Sequence, residues 1–264
     1  GRVEKPLAGT ATVSPFYDAF QNLPPELSSA DKARLQQKAE QIISEQINPA
    51  LSSLRQFLRA DYLPAARPPG IGALPGGKQL YARLAAHYTT TDLTPDEIHE
   101  IGLREVERIR KEMQSVIAEV GFEGDLRAFN EFLRTDPQFY YDRAEALLEG
   151  YQAVSKRLDP ALVKLFGKLP RAPYGVRPIP EEEAPDTTTA YYMPPAADGS
   201  RPGWYYVNLY LPSVRPKFEM EVLSVHESVP GHHLQIALAQ EMTNLPEFRR
   251  NSGFTAFIAG GGLY

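Results

Sequence analysis

Cysteine is absent from the 264-residue chain. That excludes disulfides and thiolate metal sites, and leaves the compartment open. Long apolar runs are also missing. Nothing approaches the ~18 residues of a membrane span, and no secretory leader is visible. Positive charge is not in excess: 28 Lys and Arg against 33 Asp and Glu give a net charge of −5. A nucleic-acid partner is therefore not expected. No internal repeat or low-complexity tract is present. Histidine is scarce, five in all, yet three of the five fall within residues 226–233.

What is present is ordinary for a globular protein. Hydrophobic residues make up 42% and charged residues 23%, and the length allows a sizeable core in one large domain or two small ones. The chain starts at Gly1 rather than Met and stops at Tyr264 within an apolar pattern, so it reads as part of a longer polypeptide.

Helical spacing of Leu35, Ala39, Ile42, Ile43, Ile47, Leu51, Leu54, Phe57 and Leu58 predicts a helix over about 29–62, kinked or split by Pro49. The Pro/Gly tract 66–77 is a connector, read as a surface loop rather than a domain boundary. A short helix is expected over 78–87. Thr94-Pro95-Asp96-Glu97 is a helix start with a capping box. Behind it, Ile98, Ile101, Val106, Ile109, Met113, Val116 and Val120 form an apolar stripe, closed by Gly121. Further helices are expected over 125–134, 142–157 and 160–167.

After Leu169 the texture changes. Residues 174–179 suit a short edge strand, and 187–193 with 203–211 suit a β-hairpin. The predicted fold is mainly α with a small antiparallel β-sheet. Residues 1–168 form a helical region, and 169–264 carry the hairpin and the histidine-rich helices, joined in one continuous catalytic domain.

The stretch VHESVPGHHLQ (225–235) carries the chemistry. A zinc-hydrolase helix spaces its ligands His-Glu-x-x-His, so that the second imidazole lies about 40° from the first. Here His232 is six residues from His226 and would point to the far side of a straight helix. His233 returns to the near face but stands ~10.5 Å further along the axis. Extruding Pro230-Gly231 restores the usual spacing, because Pro230 breaks the helix, displaces Val229 and leaves Gly231 free in conformation. His226 and His232 then become metal ligands, with Glu227 placed to take a proton from an attacking water. The alternative is a solvated helix end with an ordinary surface acid. His87 and His99 are expected to be structural or exposed. Residues 204–210 could add an extended peptide by main-chain pairing, and tyrosine hydroxyls there could polarise a carbonyl. The candidate substrate contacts are Tyr205, Tyr206, Asn208 and Tyr210, although these aromatics could equally be core.

The segment 200–241, together with HYTTTDLTPDEIHEIGLREV (87–106) and LPRAPYGVRPIPE (169–181), resembles the bacterial domain-of-unknown-function 885 family. Its H-E-x-x-P-G-H motif is far more specific than a bare H-E-x-x-H. The resemblance implies a largely helical, gluzincin-type branch of the zinc peptidases, in a zincin-like architecture longer at both ends. It carries metal ligation to His226 and His232 and the general base to Glu227. The position of His233 can hold other residues in the family, but His233 remains a candidate catalytic helper.

The family's downstream pattern, F-[I/V]-E-G-W-[A/G]-L-Y, implies a glutamate as third ligand. This chain has FIAGGGLY (257–264), with Ala259 in place of Glu and Gly261 in place of Trp. Three readings stay open: shortened side chains in the written sequence, deliberate substitutions, or a natural pseudoenzyme. Glu241 is a conceivable substitute ligand. The glycine triplet is expected to make a poor helix.

The expected function is a zinc-dependent peptidase acting on a peptide or small amide; the resemblance implies a bacterial origin and is compatible with export to the periplasm or outside the cell, and the compartment is left open. The alternatives are a peptide-binding pseudoenzyme without metal and a helical interaction protein. The oligomeric state is left open.

Overall fold

The computed structural model describes residues 7, 9–66 and 70–263. The chain divides into two compact units, 1–73 and 74–264. The division falls inside the Pro/Gly connector rather than after residue 168.

In the first unit, two short 3-10 turns lead into α1 (Asp18–Gln21), and α2 (Ser29–Ile42) and α3 (Asn48–Phe57) follow. The single helix expected over 29–62 is instead interrupted twice by wider π-helical turns, at Ile43–Ile47 and Leu58–Tyr62. The first lies just ahead of Pro49, which cannot donate to the carbonyl four residues back and whose ring needs room there. The unit's small core gathers Tyr17, Ala39 and Ile43.

The second unit begins with α4 (Gly77–Thr89) and α5 (Pro95–Glu119). The expected capping box starts α5: Thr94 Oγ1 accepts from Glu97 N at 3.2 Å, and Thr94 N donates to Glu97 Oε2 at 2.8 Å. Its apolar stripe does not form a core face. Ile101, Val106, Ile109, Met113, Val116 and Val120 stay exposed, and Ile117 is the buried residue. Next comes α6 (Leu126–Thr135), capped by Asp125. The two helices expected over 142–167 are one, α7 (Ala144–Leu165), running through Pro160. Its buried face, Leu147, Tyr151, Val154 and Leu162, continues on both sides of the proline.

Three strands follow: β1 (Tyr174–Pro178), β2 (Ala190–Met193) and β3 (Gly203–Val207). The predicted hairpin is present as the antiparallel pair β2–β3, with Tyr191 opposite Tyr206. However, β1 pairs with β3 in parallel, Tyr174 opposite Gly203, so the sheet is mixed and its order is β1-β3-β2. The expectation of a purely antiparallel sheet is corrected accordingly. On one face, Tyr205, Val207 and Ala190 pack with Leu147, Tyr151 and Val154 of α7 and with Met220. The other face carries Tyr191 stacked on Tyr206, with Arg177 over Tyr206 and Trp204.

Four helices close the described chain: α8 (Met220–Glu227), α9 (His232–Glu241), α10 (Glu247–Asn251) and α11 (Thr255–Leu263). The glycine triplet is helical after all, and close approach accounts for two of its members, Gly261 and Gly262. A β-carbon on Gly261 would lie 2.5 Å from Gln235 Nε2, and one on Gly262 would lie 3.0 Å from His232 Cε1. No helix among the described residues is long and apolar enough to cross a membrane.

Candidate metal centre

The site is built where α8 stops and α9 starts. After Glu227 the chain leaves helical geometry at Ser228 (φ −105°, ψ −98°), passes a cis Val229–Pro230 bond, and turns at Gly231 (φ −72°, ψ −128°). The link is held from within. Gly231 N donates to Val225 O at 2.9 Å, and His233 N donates to Ser228 O at 3.0 Å. Ser228 is fully buried and its hydroxyl donates to Ser224 O. Val229 packs against Leu162 and Leu234, anchoring the link to α7 and α9. The break is a four-residue link between two helices rather than a bulge in one continuous helix.

The consequence is the convergence expected from the proline and glycine. One donor atom each from His226, Glu227 and His232 lies within 4.8 Å of the others. The two imidazoles meet edge to face, with ring centroids 4.6 Å apart and planes at 80°. Glu227 is buried. Burial pushes its carboxyl above the ordinary carboxylate value, and the neighbouring His226 pulls it partly back. Burial, followed by the charge on His226, holds His232 below the usual imidazole value. His232 Nδ1 is buried and has no hydrogen-bond partner, which an isolated core histidine would not tolerate cheaply. Two imidazoles and a carboxylate are donors that suit a borderline divalent metal. The three side chains therefore fit a metal ion, although only in part, because no further His, Asp or Glu joins this group among the described residues.

The fourth wall is α11. Gly262 sits over both rings, a β-carbon there lying 3.0 Å from His232 Cε1 and 3.1 Å from His226 Cε1. Ala259, one helical turn earlier, shares that side of the helix and offers no donor atom. Glu241 does not replace it. It lies at the far end of α9, where its Oε1 accepts from Arg171 N at 2.7 Å and its Oε2 pairs with the Arg171 guanidinium.

His233 turns the other way. It is buried, its Nε2 lies 3.0 Å from Ala172 O, and its Nδ1 lies 2.8 Å from Tyr192 Oη. A carbonyl can only accept, so Nε2 carries the proton and Nδ1 receives the tyrosine hydroxyl. Burial holds the ring below the usual imidazole value, in keeping with that neutral tautomer. With both nitrogens committed, His233 ties α9 to β2 and to the chain before β1. It has none left for a substrate.

The expected substrate contacts fare unevenly. Strand β3 is the central strand, paired on both sides, so it cannot take up an added peptide; the free edges belong to β1 and β2. Tyr205 is fully buried between Tyr151 and Ser224, and burial drives its phenol pKa upward. Asn208 is fully buried too. Its Nδ2 donates to Ala184 O and Thr188 O, and its Oδ1 accepts from Tyr210 N. Tyr206 lies in the stack with Tyr191. Tyr210 is exposed and lines a cavity with Ile179 and Leu209, a cavity to which none of His226, Glu227 and His232 contributes. Sequence reasoning missed Gly262, whose proximity to the histidines no local spacing signals.

The sequence was also compared with known proteins. The model of a family described as "Bacterial protein of unknown function (DUF885)" matches residues 2–264. No curated protein matches. Among solved structures, that of "the putative lipoprotein from Colwellia psychrerythraea" superposes with a TM-score of 0.92 at 28% identity, over 99% of this chain. One of "a putative lipoprotein of unknown function from Shewanella oneidensis" gives 0.56 at 18% identity, over 92% of this chain. The present chain spans 46% and 45% of those two chains, respectively.

Proposed function

The chain belongs to the bacterial DUF885 family, and from that premise we propose that it carries the metal motif of a zinc-dependent peptidase. The observation that carries this reading is the gathering of donor atoms from His226, Glu227 and His232 within 4.8 Å across the helix break. His226 and His232 would hold the metal. When bound, zinc would supply the Lewis acidity that polarises a scissile carbonyl.

Glu227 takes a proton from the attacking water on a carboxylate oxygen. The water oxygen adds to the carbonyl carbon, the C–N bond breaks, and the same proton passes to the departing amine. The raised pKa of the buried Glu227 carboxyl suits a group that must both accept and release a proton. Should an extended substrate pair with the sheet, β2 or β1 would receive it, since β3 is interior.

A second reading is a peptide-binding pseudoenzyme. It is favoured by Ala259, which leaves the side of α11 facing the histidines without a ligand. The description of the Colwellia psychrerythraea neighbour as a putative lipoprotein supports export.

The test is peptide hydrolysis by the full-length zinc-loaded protein beside its Glu227→Gln variant. The proposal expects turnover to be lost in the variant with zinc retained. Equal turnover in both would overturn it. Peptide binding without turnover or zinc would establish the second reading.

A further inference from the structure

Helix α5 carries an apolar seam that nothing among the described residues covers. Every residue from 99 to 116 is exposed, and Ile117 is the one buried residue of the helix. Val106, Ile109, Met113, Val116 and Val120 stand three, four, three and four residues apart. Their exposures run from 38% at Met113 to 60% at Val120. A mean step of about 3.5 residues keeps a narrow line of side chains on one side of a helix, and it is the spacing by which two helices pair along their length. A helix lying on a globular core shows a broader apolar face. The seam is about 21 Å long, or about four turns. Most helices in proteins depend on packing of such a face for their stability, so the missing partner is a second helix.

The charges beside the seam narrow the choice. Glu105, Glu112 and Glu119 recur every seven residues and line one flank. Arg108 pairs with Glu105 and with Glu112, each at 2.7 Å. These are exposed pairs that hold little energy and can be exchanged. Three carboxylates against one guanidinium leave this flank acidic. Leu103, Arg110 and Ile117 line the other flank, where Ile117 is already buried. A second copy of the chain does not suit. In an antiparallel pair the two acidic flanks would meet and repel. In a parallel pair each acidic flank would have to enter the flank that Ile117 closes. The helix that fits has apolar residues in the same rhythm and Lys or Arg facing the glutamates.

The Colwellia psychrerythraea structure indicates where such a helix comes from. It matches 99% of this chain, yet this chain spans only 46% of it, so more than half of that polypeptide lies outside the match. We propose that the seam of α5 is an interface within the full-length protein. An amphipathic helix from the polypeptide outside residues 1–264 lies along Val106–Val120, with its Lys or Arg side chains against Glu112 and Glu119. The proposal is independent of the metal reading, since α5 supplies no donor to the group of His226, Glu227 and His232.

The test uses the full-length protein and reads labelled peptides by mass spectrometry. Residues 1–264 contain no cysteine, so a thiol can be placed at will. Ile109→Cys puts it on the seam. Lys111→Cys puts it on the outer side, where the lysine side chain is 71% exposed. The proposal expects a maleimide to react at 109 at least about tenfold more slowly than at 111, at every protein concentration. In otherwise unaltered protein, the near-isosteric photo-methionine at Met113 is expected to cross-link, within one molecule, to a segment outside residues 1–264 that carries Lys or Arg. Cross-links from Met113 confined to residues 1–264, or joining two copies, would overturn the proposal. So would a cross-linked segment without basic residues, or equal labelling at 109 and 111 together with no cross-link.

Discussion

Gly231 lies against the backbone of His226: a β-carbon added to Gly231 would fall 1.9 Å from the His226 carbonyl oxygen. This contact lets the first turn of α9 begin beside the last turn of α8. It converts a sequence separation too long for a helix into a shared donor cluster.

The first prediction follows from that contact. Gly231→Ala must push α8 and α9 apart, since the clashing atom is backbone and cannot rotate away. Zinc stoichiometry of the full-length variant, measured by elemental analysis, is expected to fall as far as in His226→Ala. Normal zinc content in Gly231→Ala would show that the link does not set the ligand geometry.

Position 259 gives a second prediction. Gly262 touches both imidazoles, and residue 259 lies one turn away on the same side of α11. A carboxylate there would complete a set of three protein ligands. Ala259→Glu is expected to tighten zinc binding by at least about tenfold in competition with a chelating dye. An unchanged affinity would place the third ligand elsewhere.

His233 gives a third. Its ring satisfies Tyr192 Oη and Ala172 O at once. His233→Ala takes the partner from two partly buried groups, at a cost of up to about 1–3 kcal/mol for each. The denaturation midpoint is expected to drop while zinc stoichiometry is kept. Loss of zinc with stability unchanged would make His233 a ligand instead of a brace.

Much of this was legible in the sequence. Thr94 and Glu97 announce a capping box, and it forms. Pro230 and Gly231 announce a break that gathers His226 and His232, and the break forms. The hairpin was visible because its strands are close in sequence and rich in aromatic residues. What stayed hidden depends on distant partners. The parallel pairing of Tyr174 with Gly203 spans 29 residues and carries no local turn signal, so β3 was taken as available when it is enclosed. The glycine triplet on α11 reads as a weak helix, because the packing of Gly261 on Gln235 and of Gly262 on His232 involves partners far away in sequence. His233 reads from sequence as a candidate catalytic helper, and only the distant Tyr192 and Ala172 show that both of its nitrogens are taken.

The most direct measurement is anomalous diffraction at the zinc edge from crystals of the full-length protein grown with zinc. The account predicts a single strong peak about 2.1 Å from one ring nitrogen of His226 and one of His232, with Glu227 beside it. No peak between those two imidazoles, or a peak held by other residues alone, would contradict it.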